Sequence, residues 1–135
     1  MKNYNRLRVG VVVFVSTCSI LVNSCHVDEY RFPLIPIVIT SAPTNITNRS
    51  VTCGGDVTTG FGYKILFRGI CRSTNHTPTI TDSLSLYSVL NDNGLGKYST
   101  EVSGLVHNTT YYVRAYAINS NGIGYGSTIS FTTED

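Results

Sequence analysis

The sequence predicts an all-β protein, a single seven-stranded sandwich that follows an apolar N-terminal leader. Three observations predict it. From Ile37 onward no stretch keeps a 3.6-residue apolar period. Val, Ile, Thr and Tyr dominate that region, and Gly, Asn, Asp and Ser interrupt it at short intervals. Seven strand-like runs fit into about 97 residues, the density of a two-sheet sandwich.

In chain order the expected strands are Pro36 to Ala42, Arg49 to Val57, Tyr63 to Ser73, a short edge piece at Ser83 to Ser88, Lys97 to Ser103, Thr110 to Asn119 and Gly124 to Thr133. Asn91-Asp92-Asn93-Gly94 and Asn119-Ser120-Asn121-Gly122 supply turn residues that tolerate positive φ, and the second predicts a hairpin between the last two strands. Alternation assigns the faces. Tyr111, Val113, Ala115 and Ala117 are expected inside, with Tyr112, Arg114 and Tyr116 opposite; Tyr125, Ser127, Ile129 and Phe131 inside; Val51, Cys53 and Gly55 inside. On the third strand Ile65, Phe67, Gly69 and Cys71 are expected inside, with Lys64, Arg68 and Arg72 in water.

The run Gly104-Leu105-Val106-His107-Asn108-Thr109-Thr110-Tyr111-Tyr112-Val113-Arg114-Ala115-Tyr116-Ala117 resembles the E-to-F segment of fibronectin type III domains, which are immunoglobulin-like sandwiches. Arg68-Gly69-Ile70-Cys71-Arg72-Ser73 resembles the Bacteroidetes branch of that family, and the likeness covers about residues 37–133. The resemblance implies structural roles for Leu105, plugging the base of the core, and Tyr111, whose hydroxyl bonds to backbone upstream. Two departures stand out. His107 occupies a place where the family usually has Pro, and Gly55 one where vertebrate members bury a Trp, a residue this chain lacks.

Residues 1–24 have the parts of an export signal: Lys2, Arg6 and Arg8, then an apolar run from Val9 to Val22, then small residues. The run is short for a membrane span, which takes ~20 apolar residues; an uncleaved anchor helix is the lesser alternative. Val22-Asn23-Ser24-Cys25 resembles the lipobox of bacterial lipoproteins, with Cys18 a weaker second candidate. That resemblance implies cleavage before Cys25, acylation of its thiol with palmitate-type chains, and a lipid bilayer as partner. Ordinary secretion is the alternative. His26, Val27, Asp28 and Glu29 resemble the surface-export signal of Bacteroidetes-type lipoproteins, so the implied location is the outer membrane, on its periplasmic or cell-surface side. Residues 25–36, with Pro33 and Pro36, read as a tether.

Ten Lys and Arg include three in the leader, and the remaining seven stand against eight Asp and Glu. A near-neutral domain has no electrostatic footprint for nucleic acid. Cys53 and Cys71 form a candidate disulfide, with two buried free thiols as the alternative. They lack the further ligands of a metal site. His26, His76 and His107 stand beside no nucleophile motif, and Asp56, Asp82, Asp92 and Glu101 are scattered. Gly54-Gly55 and Gly122-Ile123-Gly124 precede no helix, so neither reads as a phosphate loop. The expectation is a protein that is not an enzyme and needs no cofactor. Asn45, Asn48, Asn75 and Asn108 head sequons, and Asp82-Ser83-Leu84 resembles the Bacteroidetes O-glycosylation motif, implying a sugar on Ser83. Tyr87, Tyr112, Tyr116 and Tyr125 could form an aromatic platform if they cluster outside. The function expected is a membrane-anchored, non-catalytic interaction or spacer module of the cell envelope with an unidentified protein partner. The alternative is a carbohydrate-binding accessory lipoprotein.

Overall fold

The computed structural model describes residues 32–88 and 93–135. The leader, Cys25 and the first part of the expected tether lie outside the described residues. The strands are β1 (Ile37–Thr44), β2 (Ser50–Thr59), β3 (Phe67–Ser73), β4 (Ser83–Ser88), β5 (Gly96–Ser103), β6 (Thr110–Asn119), β7 (Gly122–Tyr125) and β8 (Ile129–Thr132). They form two antiparallel sheets, one in the order β1-β2-β5 and the other β4-β3-β6-β7, with β8 also pairing with β6. Because β7 and β8 are two halves of one final strand, this is the expected seven-stranded sandwich of fibronectin type III kind.

The final strand breaks because β1 and Arg114 both bind its midpoint. The Thr40 hydroxyl donates to the Ser127 carbonyl at 2.6 Å and accepts from the Ala115 N–H at 3.1 Å, while Arg114 Nε donates to the Gly126 carbonyl at 3.1 Å. The arm before β1 passes so close to β7 that a Cβ at Gly124 would collide with the Pro36 carbonyl. The break also flips the alternation. Ile129 and Phe131 pack with the core, but Tyr125, expected inside, is register partner of Tyr116 and shares its outward face.

Val51, Cys53 and Val57 from β2, Val102 from β5, and Val113, Ala115 and Ala117 from β6 fill the space between the sheets, with Leu105 below them at 2 % exposure. The strand that carries no Trp has a different solution. Gly55 faces Tyr98 across the β2–β5 ladder, and a Cβ on Gly55 would lie 2.6 Å from the Ala115 Cβ and 2.9 Å from the Tyr98 hydroxyl. The missing side chain is the room through which the Tyr98 ring crosses the core. Its hydroxyl reaches the opposite sheet, 2.8 Å from the Gly69 carbonyl on β3 and 3.1 Å from that of Tyr116 on β6.

The expected phase of β3 is corrected. Tyr63 N–H bonds the Gly60 carbonyl in a tight turn, with Phe61 and Gly62 at φ 54 and 82, so the strand starts at Phe67 instead of Tyr63. Ile65 is buried, yet the alternation slips after it, and Arg68, Ile70 and Arg72 face the other sheet while Phe67, Gly69 and Cys71 face away. The arginines can point inward because β3 faces the open edge of β5. Arg68 lies 5.0 Å over the Tyr98 ring and its Nη1 donates to the Gly94 and Leu95 carbonyls at 2.9 and 3.1 Å. Arg72 Nη1 donates to the Ser103 carbonyl at 2.6 Å. Long apolar stems lie along the core while the charged heads find carbonyls at its rim.

Tyr98→Phe removes a hydroxyl that joins the sheets through the core and is expected to lower stability by about 1–3 kcal/mol. Gly55→Ala drives a methyl into Ala115 and is expected to cost about 1–3 kcal/mol through overpacking. Urea titration reads both, and a Tyr98→Phe midpoint equal to wild type would refute the bridging role.

Candidate functional site

The strand registers give the sandwich two unlike ends. At one, called here the entry end, stand Ile37, Thr59, Phe67, Gly96, Asn119 and Gly122, the termini of their strands. Here the chain joins the domain. Asn119, 3 % exposed, fixes the junction: its Nδ2 donates to the Leu34 carbonyl at 2.8 Å and lies 3.4 Å from that of Gly60, while its Oδ1 accepts from the N–H groups of Asn121 and Gly122. Pro36 is buried and Ile35 half-buried. Residues 34–36, read from sequence as tether, thus lie against the domain. Asn119 was legible only as a turn residue.

At the far end every strand terminus is Ser or Thr: Thr44, Ser50, Ser73, Ser83, Ser103, Thr110 and Thr132. Three loops meet there, residues 45–49, 74–82 and 104–109. Tyr111 holds the last of them, its hydroxyl accepting from the Val106 N–H at 3.0 Å while its ring stacks on Phe131 at 5.9 Å between centroids. The Leu105 N–H bonds the Arg49 carbonyl at 3.0 Å. His107, exposed where the resembled family has Pro, offers its carbonyl to the Thr109 hydroxyl at 2.9 Å. Ser83 is exposed at the start of β4, and its Oγ accepts from Arg72 Nε at 3.2 Å.

The loop of residues 74–82 does more than connect. It folds back over the outward face of β6 and partly covers it. His76 lies 4.4 Å from the Tyr112 ring with Nε2 2.9 Å from its hydroxyl, and the Ile80 N–H donates to the Tyr125 hydroxyl at 3.1 Å. Arg114 sits 4.4 Å over the Tyr125 ring, with Pro78 buried beside it. Asp82 closes the loop by accepting from the Thr79 N–H at 2.8 Å and from its hydroxyl at 3.2 Å. Tyr116 is at 0 % exposure, its hydroxyl lacks a partner among the described residues, and burial pushes that phenol up to about 12. The tyrosines read as a platform are therefore not open: Tyr116 is inside, Tyr112 and Tyr125 are engaged, and the Tyr87 side chain lies outside the described residues.

The same geometry corrects the candidate disulfide. Cys53 and Cys71 are both free and both buried. Cys53 faces the core from β2, whereas the slipped phase of β3 turns Cys71 to the outward face, where its Sγ lies 3.4 Å from the Arg114 carbonyl. One layer of sheet stands between the thiols. Burial pushes each up to about 11. Among the described residues no group of three His, Cys, Asp or Glu could hold a metal ion.

The chain matches no family model and no curated protein. Solved structures do match its fold. The sensor domain of the anti-sigma factor RsgI4 of Pseudobacteroides cellulosolvens superposes with a TM-score of 0.58 at 20 % identity, covering 74 % of this chain and 76 % of that one. A fibronectin type III domain of the human KIAA0970 protein superposes with a TM-score of 0.52 at 13 % identity, covering 76 % of each. These likenesses agree with the sandwich drawn from the strands.

Two measurements follow for the thiols. Alkylation of denatured, unreduced protein followed by peptide mapping should label both Cys53 and Cys71, and an unlabelled, linked pair of peptides would restore the disulfide. Since an unfolded thiol titrates near 9.0 and the folded ones near 11, the fold favours the neutral form. Their contribution is intact below the unfolded value and is lost as pH rises through the folded one. Denaturation midpoints should therefore fall between pH 9 and 11, and Cys53→Ala, whatever its own cost, should flatten that fall.

Proposed function

We propose that the protein is a non-catalytic interaction module of the cell envelope, held on the outer membrane by acyl chains on Cys25 and presenting the loops of its far end to a protein partner. The observation that carries this reading is the clamp of Asn119 on residue 34, which brings the chain out at the entry end and leaves the loops of residues 45–49, 74–82 and 104–109 opposite. A tether leaving from one end presents the other. The Tyr111 and Thr133 contacts hold the loop of residues 104–109 in one conformation, with the Thr133 hydroxyl donating to the Val106 carbonyl at 2.7 Å, which limits the entropy lost on binding. The likeness in fold to a sensor domain and to a fibronectin type III domain of other proteins is in keeping with a non-catalytic role.

The experiment is expression of the full chain in a Gram-negative host beside Cys25→Ser, with membrane fractionation and intact mass. Wild type should begin at an acylated Cys25 and sediment with membranes, and the variant should keep residues 1–24 and carry no acyl mass. Soluble, unacylated wild type would remove the anchor and the location together.

A further inference from the structure

Ten large apolar side chains remain exposed among the described residues. Ile39 sits within β1 and Val106 in a far-end loop; the other eight crowd the entry end. In that group Phe61 is 45 % exposed, Tyr63 42 %, Leu66 44 % and Leu95 39 %. Tyr63 and Leu95 line one shallow cleft, together with Lys64. Phe61 is held out by its backbone. At φ 54 it occupies a conformation unfavourable for a bulky side chain, fixed by the Gly60–Tyr63 turn. Large apolar side chains gathered at one end of a small domain in this way mark an interaction surface.

We propose that the entry end docks on the lipid surface itself, with Phe61, Tyr63, Leu66 and Leu95 inserted at the boundary of headgroups and acyl chains. This rests on the reading of Cys25 as the anchor. The choice of a bilayer over a protein comes from the leash. Six residues lie between Cys25 and Phe32, and the seven steps from one to the other, at ~3.3–3.6 Å per residue, reach about 25 Å at most. The ten-residue strands β2 and β6 make the sandwich about 30 Å long at ~3.3 Å per residue. A leash shorter than the domain keeps the entry end close to the surface, where its effective concentration against lipid is high. The Lys64 ammonium beside Tyr63 complements anionic headgroups, and an aromatic ring with a polar tip suits that boundary. The domain then stands with its Ser- and Thr-ended face away from the membrane.

Because the chain has no Trp, one introduced Trp is a single reporter. The full acylated protein is prepared as Phe61→Trp, Tyr63→Trp and, at the far end, Val106→Trp, and each is reconstituted into vesicles of phosphatidylethanolamine and phosphatidylglycerol with and without brominated acyl chains. The docked domain gives about half its fluorescence lost to bromine at positions 61 and 63, as for side chains ~5–10 Å into the headgroup–acyl boundary, and no loss at 106. Acylated, vesicle-bound protein with no quenching at 61 and 63 overturns the docking while leaving the anchor standing. A blue shift at 61 without quenching also overturns it, since the patch is then covered by protein, a second copy included. Absence of acyl mass on Cys25 defeats the anchor reading first and the docking with it.

Discussion

The sandwich depends on one side chain passing where another is missing. Two sheets packed face to face are joined chiefly by apolar contact, which holds them together without fixing how one lies over the other. Tyr98 supplies the fixed point. Its ring crosses above Gly55, and its hydroxyl lies at the place where β3 and β6 pair through Gly69 and Tyr116. Burial pushes the phenol above the ordinary tyrosine range, which favours the protonated form that donates these bonds. Arg68 stacks on the same ring from the open edge and ties it to the backbone leading into β5. The vacancy at Gly55 and the bulk at Tyr98 are one adaptation, placed on adjacent strands.

Alternation made most strands legible, and its failures have physical causes. The bounds of β4 and β6 agree with the sequence expectation, since each ends in small polar residues that cannot extend the apolar pattern. On β3, Arg-Gly-Ile-Cys-Arg reads as two outward arginines around an inward cysteine. The rule that puts charge in water assumes a closed interior, however, and an edge that offers the carbonyls of Leu95 and Ser103 lets guanidinium groups turn inward. Cys71 followed the arginines to the wrong face in that reading. The final strand failed in phase for a different reason, because no local pattern announces that Thr40, nearly ninety residues upstream, binds its midpoint.

The outward face of β6 was the least legible part. Ala115, Tyr116 and Ala117 are all at 0 % exposure, so this strand is buried on both sides, a pattern that a simple sandwich with one wet face does not produce. The cover is a polar, proline-containing loop that nothing in its own composition marks as part of a core. It is held by backbone and side-chain hydrogen bonds at His76, Thr79, Ile80 and Asp82 and by the buried Pro78. Of the candidate residues, Tyr111 meets backbone only five residues upstream, at Val106, a contact within reach of a local reading; Asn119 joins Leu34 and Gly60, which come together only in the fold.

The Asn119 clamp also sets how the domain carries load. A pull between the segment before Phe32 and a partner gripping the far end runs along the strand axes, entering through β1. The hydrogen bonds of β1 to β2 lie across that direction, so they are strained together as a shear block and do not open singly like a zipper. Lifetime under tension is then set by the unfolding rate and not by equilibrium stability. Leu34, held by Asn119 just before the buried Pro36, is where such tension first meets the fold.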